Sequence, residues 1–148
     1  MAINSQGSKI LWADISASPD PSPLVYAEIE EVTSIGGPDG TLNLIDVSHL
    51  GSTRKEYLPG LADNGTITLA CNFTAETVQM EMFDLFNASA DPQPFRIQIP
   101  TDSTRTTFHT FDFDGIVTRW SLADAVDAKV SLNITLQTSG GVVYVGVL

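Results

Sequence analysis

The chain of 148 residues has little of the chemistry that most enzymes need. It holds one cysteine, Cys71, and two histidines, His49 and His109, and it contains none of the motifs of serine hydrolases, zinc proteases or nucleotide-binding loops. A single cysteine also excludes an internal disulfide. The scarcity of catalytic and metal-ligating side chains predicts a protein that is not an enzyme and that needs no cofactor.

Basic residues are scarce as well, with seven lysines and arginines against 18 aspartates and glutamates and a net charge of −11. Such a surface repels nucleic acid, because contacts to phosphate need cationic side chains. The one nucleic-acid role that fits is a conduit through which DNA passes without being held. No apolar run is long enough for a membrane span, and the first fifteen residues lack the apolar core of a signal peptide.

What the chain does have is a composition suited to a packed domain. Hydrophobic residues make up 43% of the sequence and charged residues only 17%. A chain of this length buries about two-thirds of its unfolded surface, so that it folds without a disulfide or a metal. We therefore expect one domain, residues 1–148, whose surface is covered largely by uncharged Ser, Thr, Asn and Gln.

Alternation of apolar and polar residues predicts that most of the chain is β-strand. The pattern is clearest over residues 65–73, 95–99 and 129–138. Longer strand-like runs cover residues 24–35 and 107–122, and the apolar phase of the second run changes at Asp114-Gly115, which predicts a β-bulge or a tight bend there. A further strand is predicted over residues 10–15, and a Ser-Gly-Gly turn at 139–141 precedes a last strand at 142–147.

One helix is predicted, over residues 75–88. Thr74 is a good N-cap residue, and the apolar side chains of Val78, Met82, Leu85 and Phe86 form one stripe at helical spacing. With so many short strands, the sequence predicts a mainly β fold: an antiparallel β-sandwich or rolled sheet with one flanking helix. Trp12 and Trp120 are equally suited to the core or to an interface.

The most informative stretch is the segment 48–65, which lies between two strand-like runs and is far longer than an ordinary hairpin connection. It carries apolar and basic side chains on an otherwise acidic protein: Leu50, Tyr57, Leu58, Leu61, Arg54 and Lys55. A long loop of this composition is better explained as a contact surface than as a tether.

Acidic residues cluster in the first third of the chain. Glu28, Glu30 and Glu31 lie in one short stretch, and Asp46 follows at the end of a predicted strand. They form either a solvated face or the acidic wall of a channel.

The order of these elements resembles that of a known family. The sequence IDVSHLGSTRKEYLPGLADNG, followed by TITLACNF, a single helix, PFRIQIP and FDFDGIVTRW, is similar to the major tail tube proteins of long-tailed, siphovirus-like bacteriophages. The resemblance covers about residues 25–138, and its most specific parts are IDVS at 45–48 and EYLPGLADNG at 56–65.

The resemblance implies a virion structural protein of the phage tail. Such proteins form hexameric rings that stack into a hollow tube, through which the tape-measure protein and then the double-stranded DNA genome pass. It implies that the segment 48–65 is a ring-stacking loop, with Arg54, Lys55, Glu56 and Tyr57 as contact residues, and that the lumen is acidic. The partners would be further copies of the chain, the tape-measure protein and the tail-tip and terminator proteins, with the subunits in the host cytoplasm before assembly.

Three alternatives remain at the level of sequence. A tail terminator or a secretion-system tube protein would share the fold but differ in open-ended polymerisation. A carbohydrate-binding β-sandwich would need its aromatic residues aligned on one face. An enzyme would need His49 or His109 in a pocket beside a carboxylate.

Overall fold

The computed structural model describes residues 6–14 and 25–148. Over these residues the chain forms nine strands and one helix: β1 (Lys9–Ala13), β2 (Tyr26–Glu28), β3 (Val32–Gly36), β4 (Thr41–Asp46), β5 (Tyr57–Asp63), β6 (Thr66–Asn72), α1 (Thr77–Asn87), β7 (Gln93–Pro100), β8 (Phe108–Ala123) and β9 (Ser131–Val147). The predicted mainly β fold with one helix is confirmed. In the described part, no helix is long and apolar enough to cross a membrane.

Seven strands form one antiparallel sheet in the order β2-β1-β7-β8-β9-β6-β3, and β4 pairs with β5 in a separate two-stranded sheet. The sheet is rolled, because side chains of the edge strand β3 line the same cleft as Ile97 and Ile99 of β7. The long strands β8 and β9 pair with each other along most of their length and belong to both halves of the roll.

The core lies on the inner side of the roll, and the predicted alternation explains it. Cross-strand neighbours Ile35, Leu69, Ile134 and Trp120 form one apolar row across β3, β6, β9 and β8. Phe95 of β7 stacks on Phe113 of β8 with ring centroids 5.6 Å apart. The strand predictions for residues 65–73 and 95–99 are therefore confirmed, since their alternate residues are buried.

Both tryptophans pack against other described residues of the chain. Trp12 is buried in the core cluster, and the half-buried Trp120 contacts the rings of Phe73 and Phe83 with centroids 6.2 and 4.6 Å away. Phe83 lies on α1, so Trp120 joins the helix to β8. Of the two readings that the sequence left open, core packing is the one observed.

The helix is confirmed, but its predicted cap is wrong. The N-cap residue is Glu76, and its own side chain forms no capping hydrogen bond. Ala75 adopts a positive φ of 56°, so the chain turns sharply after Thr74 and only then enters the helix. The backbone N–H of Thr74 donates instead to Oε1 of Gln79, 3.1 Å away.

Two predicted strand boundaries are also wrong. The run at 24–35 is divided into β2 and β3, because Glu31 adopts a positive φ of 57° and reverses the chain; residue 24 lies outside the described part. The predicted turn at 139–141 is instead continuous strand within β9, with Gly140 at φ 82°. The predicted irregularity at Asp114-Gly115 is misplaced, since β8 pairs regularly with β7 there and the register shift opposite Asp112 and Asp114 comes from extra residues in β9. The extra residue of β8 itself lies between Val117 and Arg119.

Gln79 is fully buried and ties α1 to the sheet. Its Nε2 donates to the carbonyls of Glu30 and Asn72, both 2.9 Å away, in addition to the bond from Thr74. Replacing Gln79 with leucine leaves these backbone groups without their partner, so we expect the free energy of unfolding to fall by about 2–4 kcal/mol. Denaturant unfolding followed by circular dichroism measures the change.

The matched control for this prediction is Gln98→Leu. Gln98 is half-buried, and its amide makes one long contact of 3.4 Å to the Thr110 hydroxyl. The same chemical change should therefore cost less than about 1 kcal/mol there. Equal losses of stability in the two variants would contradict the role assigned to Gln79.

Cys71 is buried on β6, as its position on the apolar side of the strand predicts. Burial, helped by the negative charge of Glu30, raises the pKa of the thiol from 9.0 to about 11. Between these two values the unfolded thiol ionises while the folded thiol stays protonated, so stability falls as the pH rises from 9 towards 11. We expect Cys71→Ala to lessen this fall in the denaturation midpoint, and the native thiol to react with an aromatic disulfide at pH 8 only through unfolding.

Candidate assembly surface

The hairpin of β4 and β5 exposes apolar side chains on both of its faces. Ile45 and Leu58 are cross-strand partners on one face, and Leu44 and Pro59 are partners on the other. Each of these leucine and isoleucine side chains is more than half exposed, and Leu61 is 85% exposed. A strand pair that is apolar on both faces is typical of strands that are covered on both sides. In this chain, nothing among the described residues covers them.

This hairpin corrects the prediction of one long loop over residues 48–65. Only residues 47–56 are loop, and Tyr57–Asp63 is strand β5. Pro59 and Gly60 obscured that strand, because proline is tolerated only at sheet edges and glycine usually breaks strand patterns. Here β5 is an edge strand with a register shift, and a Cβ on Gly60 would lie 3.0 Å from the Asn43 carbonyl oxygen.

The hairpin is joined to the main sheet at its base. The N–H of Asp39 donates to the Asn64 carbonyl at 2.9 Å, and the Asn64 amide donates to the Gly140 carbonyl at 3.1 Å. The Gly65 carbonyl accepts from the N–H and the hydroxyl of Thr138, at 3.1 and 2.8 Å. Since an isolated two-stranded hairpin is marginally stable in water, these contacts determine where it projects.

The loop at the tip of the hairpin is closed by its own hydrogen bonds. The N–H of Ser48 donates to the Asp46 carboxylate at 2.9 Å, and the N–H of Glu56 donates to the Ser48 hydroxyl at 2.8 Å. The N–H of Val47 donates to the Glu56 carbonyl at 2.9 Å. The Ser48 contacts lower the pKa of Asp46, so the carboxylate accepts this bond at neutral pH.

A second group of contacts holds the outer part of the loop. His49 accepts a hydrogen bond from the Gly51 N–H at its Nδ1 and places its Nε2 3.7 Å from the Glu56 carboxylate. Ser52 donates to the same carboxylate at 3.1 Å. The tip therefore has a defined shape while its side chains remain exposed.

The predicted contact residues lie together on this hairpin. Leu50 is fully exposed at the tip, Arg54, Lys55 and Glu56 follow it in the loop, and Tyr57, Leu58 and Leu61 belong to β5. Lys55 lies 4.0 Å from Asp46, an exposed pair that contributes little to stability. Sequence reasoning missed Leu42, Leu44 and Ile45, because their strand reads as half-buried and only the fold shows that it is not.

The four candidate lumen acids do not lie together. Glu28 is exposed on β2, Glu31 is exposed in the following turn, and Asp46 lies on the separate hairpin. The half-buried Glu30 accepts a long hydrogen bond of 3.4 Å from the N–H of Val78 at the start of α1. The acidic lumen therefore stays a prediction.

A second exposed apolar segment lies at the end of β9. Strand β6 pairs with β9 only as far as Gln137, and beyond that point no described strand pairs with this edge of β9. Val143, Tyr144, Val145, Val147 and Leu148 are all substantially exposed there. An apolar edge of this kind invites pairing with another chain. The sequence VVYVGV gave no sign of this exposure, because the same run is typical of a buried strand.

The residues that the two rival readings depend on lie as follows. His49 is exposed beside Glu56, and His109 contacts the Tyr144 hydroxyl at 2.8 Å rather than a carboxylate. No group of three potential metal ligands is present in the described part of the chain. Trp12 is buried and Trp120 packs on phenylalanines, so neither tryptophan is exposed on a face as a carbohydrate-binding row would need.

Comparison with known families connects this geometry to a function. The family model described as phage tail tube, TTP, lambda-like matches residues 1–146. The chain belongs to the lambda-like phage tail tube family. The resemblance inferred from the sequence is thereby confirmed, and as a tail tube protein the chain is a structural component of the virion tail. No curated protein matches it.

Solved structures share the tail tube fold at low sequence identity. A tail of an empty gene transfer agent particle, with C6 symmetry, aligns with a TM-score of 0.76 and 17% identity over 98% of this chain and 100% of that chain. The SPP1 tail tube aligns with a TM-score of 0.69 and 13% identity over 94% and 77%. The sheath-tube complex of an extracellular contractile injection system aligns with a TM-score of 0.72 and 18% identity over 98% and 92%. At these identities the likeness shows the fold.

Proposed function

We propose that residues 1–148 act as one tail tube domain and that six copies of it close into a ring. The rings stack into a hollow tube, and no catalytic step is involved. The observation that carries the proposal is the β4–β5 hairpin, whose apolar side chains are exposed on both faces. A head-to-tail ring closes on itself, whereas stacking through a projecting element has no end point and gives a tube. The six-fold number is supported by the C6 symmetry of the similar gene transfer agent tail.

The hairpin is the proposed ring-stacking contact, with Leu50, Arg54, Lys55 and Glu56 at its tip and Tyr57, Leu58 and Leu61 along β5. Its apolar strands become the buried centre of the contact and its charged tip the polar rim, which is the usual anatomy of a protein interface. The free edge at the end of β9 is a second place where a neighbouring copy covers apolar surface.

Other tail proteins are the further partners. Caps or terminators stop the similar tubes of two contractile systems, which supports a terminator and a tail-tip protein as partners at the two ends. The tape-measure protein and then double-stranded DNA pass through the channel in transit. No catalysis is needed for any of these roles.

Electron microscopy of the purified protein before and after concentration, together with sedimentation, tests the proposal. Hollow tubes or stacked rings of uniform diameter are the expected result. A small closed oligomer that never elongates would contradict it and would indicate a terminator. If the free protein stays monomeric, seeding with isolated tail tips of the same particle should start elongation; failure there as well would also contradict the proposal.

A further inference from the structure

The outward side of one half of the rolled sheet is polar and free of carboxylates. It consists of the outward side chains of β3, β6, residues 131–137 of β9 and residues 116–123 of β8, and we call it the polar face. One row of cross-strand neighbours runs through Ser34, Ala70, Asn133 and Ser121. These residues alternate with the apolar row of the core, so their side chains point away from the core.

The next row of the polar face contains its one cation. Gly36, Thr68 and Thr135 are followed by Arg119, directly opposite Thr135 on β8. Arg119 is exposed, and it forms none of the ion pairs found among the described residues. The strands of the face therefore present mainly hydroxyl and amide groups, with the apolar Ile116 opposite Gln137 and a single arginine that forms no ion pair among the described residues.

Charge is distributed differently on the other half of the sheet. There Arg96 forms a two-point ion pair with Asp112, and Glu28 and Asp114 lie on the same outward side. In a chain with a net charge of −11, the strands of the polar face thus carry no carboxylate of their own, and Asp39 adjoins the face only at its edge, beside Gly36, Thr66 and Thr68. The carboxylates are therefore concentrated on one half of the sheet. Exposure of the polar face to water on the outside of a tube would not explain why that face lacks them.

The polar face also differs from the surfaces that copies of the chain would bury. The exposed apolar side chains lie on the hairpin and at the end of β9, whereas this face has small polar side chains around a shallow depression lined by Thr68, Ala70, Arg119 and Ser121. The centres of protein interfaces are apolar and aromatic. The face is therefore suited to remain in water after assembly.

Hydroxyl, amide and guanidinium groups are the side chains that contact phosphate oxygens in nucleic-acid complexes. Each neutralised phosphate adds strongly to affinity, so one cation per subunit gives a weak and non-specific contact. A surface of this kind lets a polyanion slide past, whereas a carboxylate wall repels it and a cationic wall holds it.

We propose that the polar face lines the channel of the assembled tube and meets the phosphate backbone of the passing nucleic acid, with Arg119 as its one cation per subunit. This inference rests on the proposed tube function. It places a neutral lining where the family resemblance implied an acidic one, and it competes directly with Glu28, Glu30, Glu31 and Asp46 as the lumen residues.

Thiol accessibility in assembled tubes tests the placement. Thr135→Cys adds a thiol to the face, and the native Cys71 is buried and so stays unlabelled. We expect a small maleimide to label the tubes and a maleimide on a large polyethylene glycol to label only free subunits. Labelling of tubes by both reagents would place the face outside and overturn the proposal. If neither reagent labels the tubes, or if the wild-type protein forms tubes and the Thr135→Cys variant does not, the polar face lies in an interface between subunits. Either result would also overturn the proposal.

The role of Arg119 has its own test in the Thr135→Cys tubes. The rates of modification by anionic and by cationic methanethiosulfonate reagents report the local potential. Arg119→Gln should lower the anionic-to-cationic rate ratio about two- to sixfold, the effect of one charge several ångströms away at moderate ionic strength. Arg105→Gln, the same change in the β7–β8 turn, should leave the ratio unchanged. An unchanged ratio in Arg119→Gln would overturn the assignment.

These outcomes separate the two proposals. If the wild-type protein forms no tubes even from tail-tip seeds, the proposed function fails before the polar face is tested. If tubes form and the labelling pattern is wrong, the function stands and the lumen assignment fails.

Discussion

Replacing Ile45 and Leu58 with serine is expected to give a folded monomer that no longer forms tubes. The two side chains are cross-strand partners, 52% and 53% exposed, and neither belongs to the hydrophobic core cluster. Their removal therefore costs the monomer little, but it removes the apolar centre of the proposed stacking contact. Central apolar anchors commonly account for 2 kcal/mol or more each of binding free energy, roughly a 30-fold loss of affinity per contact.

The measurement combines sedimentation and electron microscopy for assembly with denaturant unfolding for stability. The matched control is the double variant Val25→Ser and Val126→Ser, which removes two side chains that are 75% and 92% exposed outside the hairpin. Tubes of normal length from the Ile45 and Leu58 variant would contradict the stacking role. Substitution is preferable to deleting residues 51–58, because that deletion also removes the start of β5.

The second large effect is expected at Gly65, where the hairpin rejoins the main sheet. Gly65 has a φ of +71°, and a Cβ there would lie 2.7 Å from the backbone oxygen of Asp39. Alanine at this position meets both an unfavourable backbone conformation and a clash with an atom that the Asp39–Asn64 pairing holds in place. We expect Gly65→Ala to lower the free energy of unfolding by about 2–4 kcal/mol and to impair tube formation.

Gly140→Ala separates the two causes. Gly140 has a similar φ of +82°, but a Cβ there would meet nothing within 4 Å. Alanine at this position should therefore lower the free energy of unfolding only through the unfavourable backbone conformation, by about 1–2 kcal/mol. Thermal unfolding of both variants provides the comparison. If the two lose the same stability, the close approach of the Asp39 backbone does not constrain the base of the hairpin.

The strands of the main sheet were predictable from sequence because one of their faces is buried. The alternation of Ile67, Leu69 and Cys71 with threonine and alanine follows from a core on one side and water on the other, and so does the helical stripe through Val78 and Met82. Local breaks were less predictable. Glu31 reverses the chain without a glycine or proline, and Gly140 continues a strand where glycine usually ends one.

The sequence predicted where in the chain the candidate site lies, but it did not predict all the residues that form it. Arg54, Tyr57 and Leu61 stand out as apolar and basic residues in an unusual segment, and all of them lie on the projecting hairpin. That Leu44 and Ile45 belong to the same surface depends on the absence of any packed neighbour, which no local pattern records. The same holds for the distribution of charge. The net charge follows from composition alone, whereas the existence of a sheet face without carboxylates depends on which strands are neighbours.

The sequence by itself determined the fold class, the family and the segment that we propose as the assembly surface, since each depends on residue types and spacings along the chain. Only the tertiary structure decided that β5 is a strand, that the end of β9 has a free edge, and that Arg119 lies alone among hydroxyl and amide groups. Exposure and electrostatic surroundings arise from residues far apart in sequence, because strand order brings β3, β6, β9 and β8 together irrespective of their order along the chain.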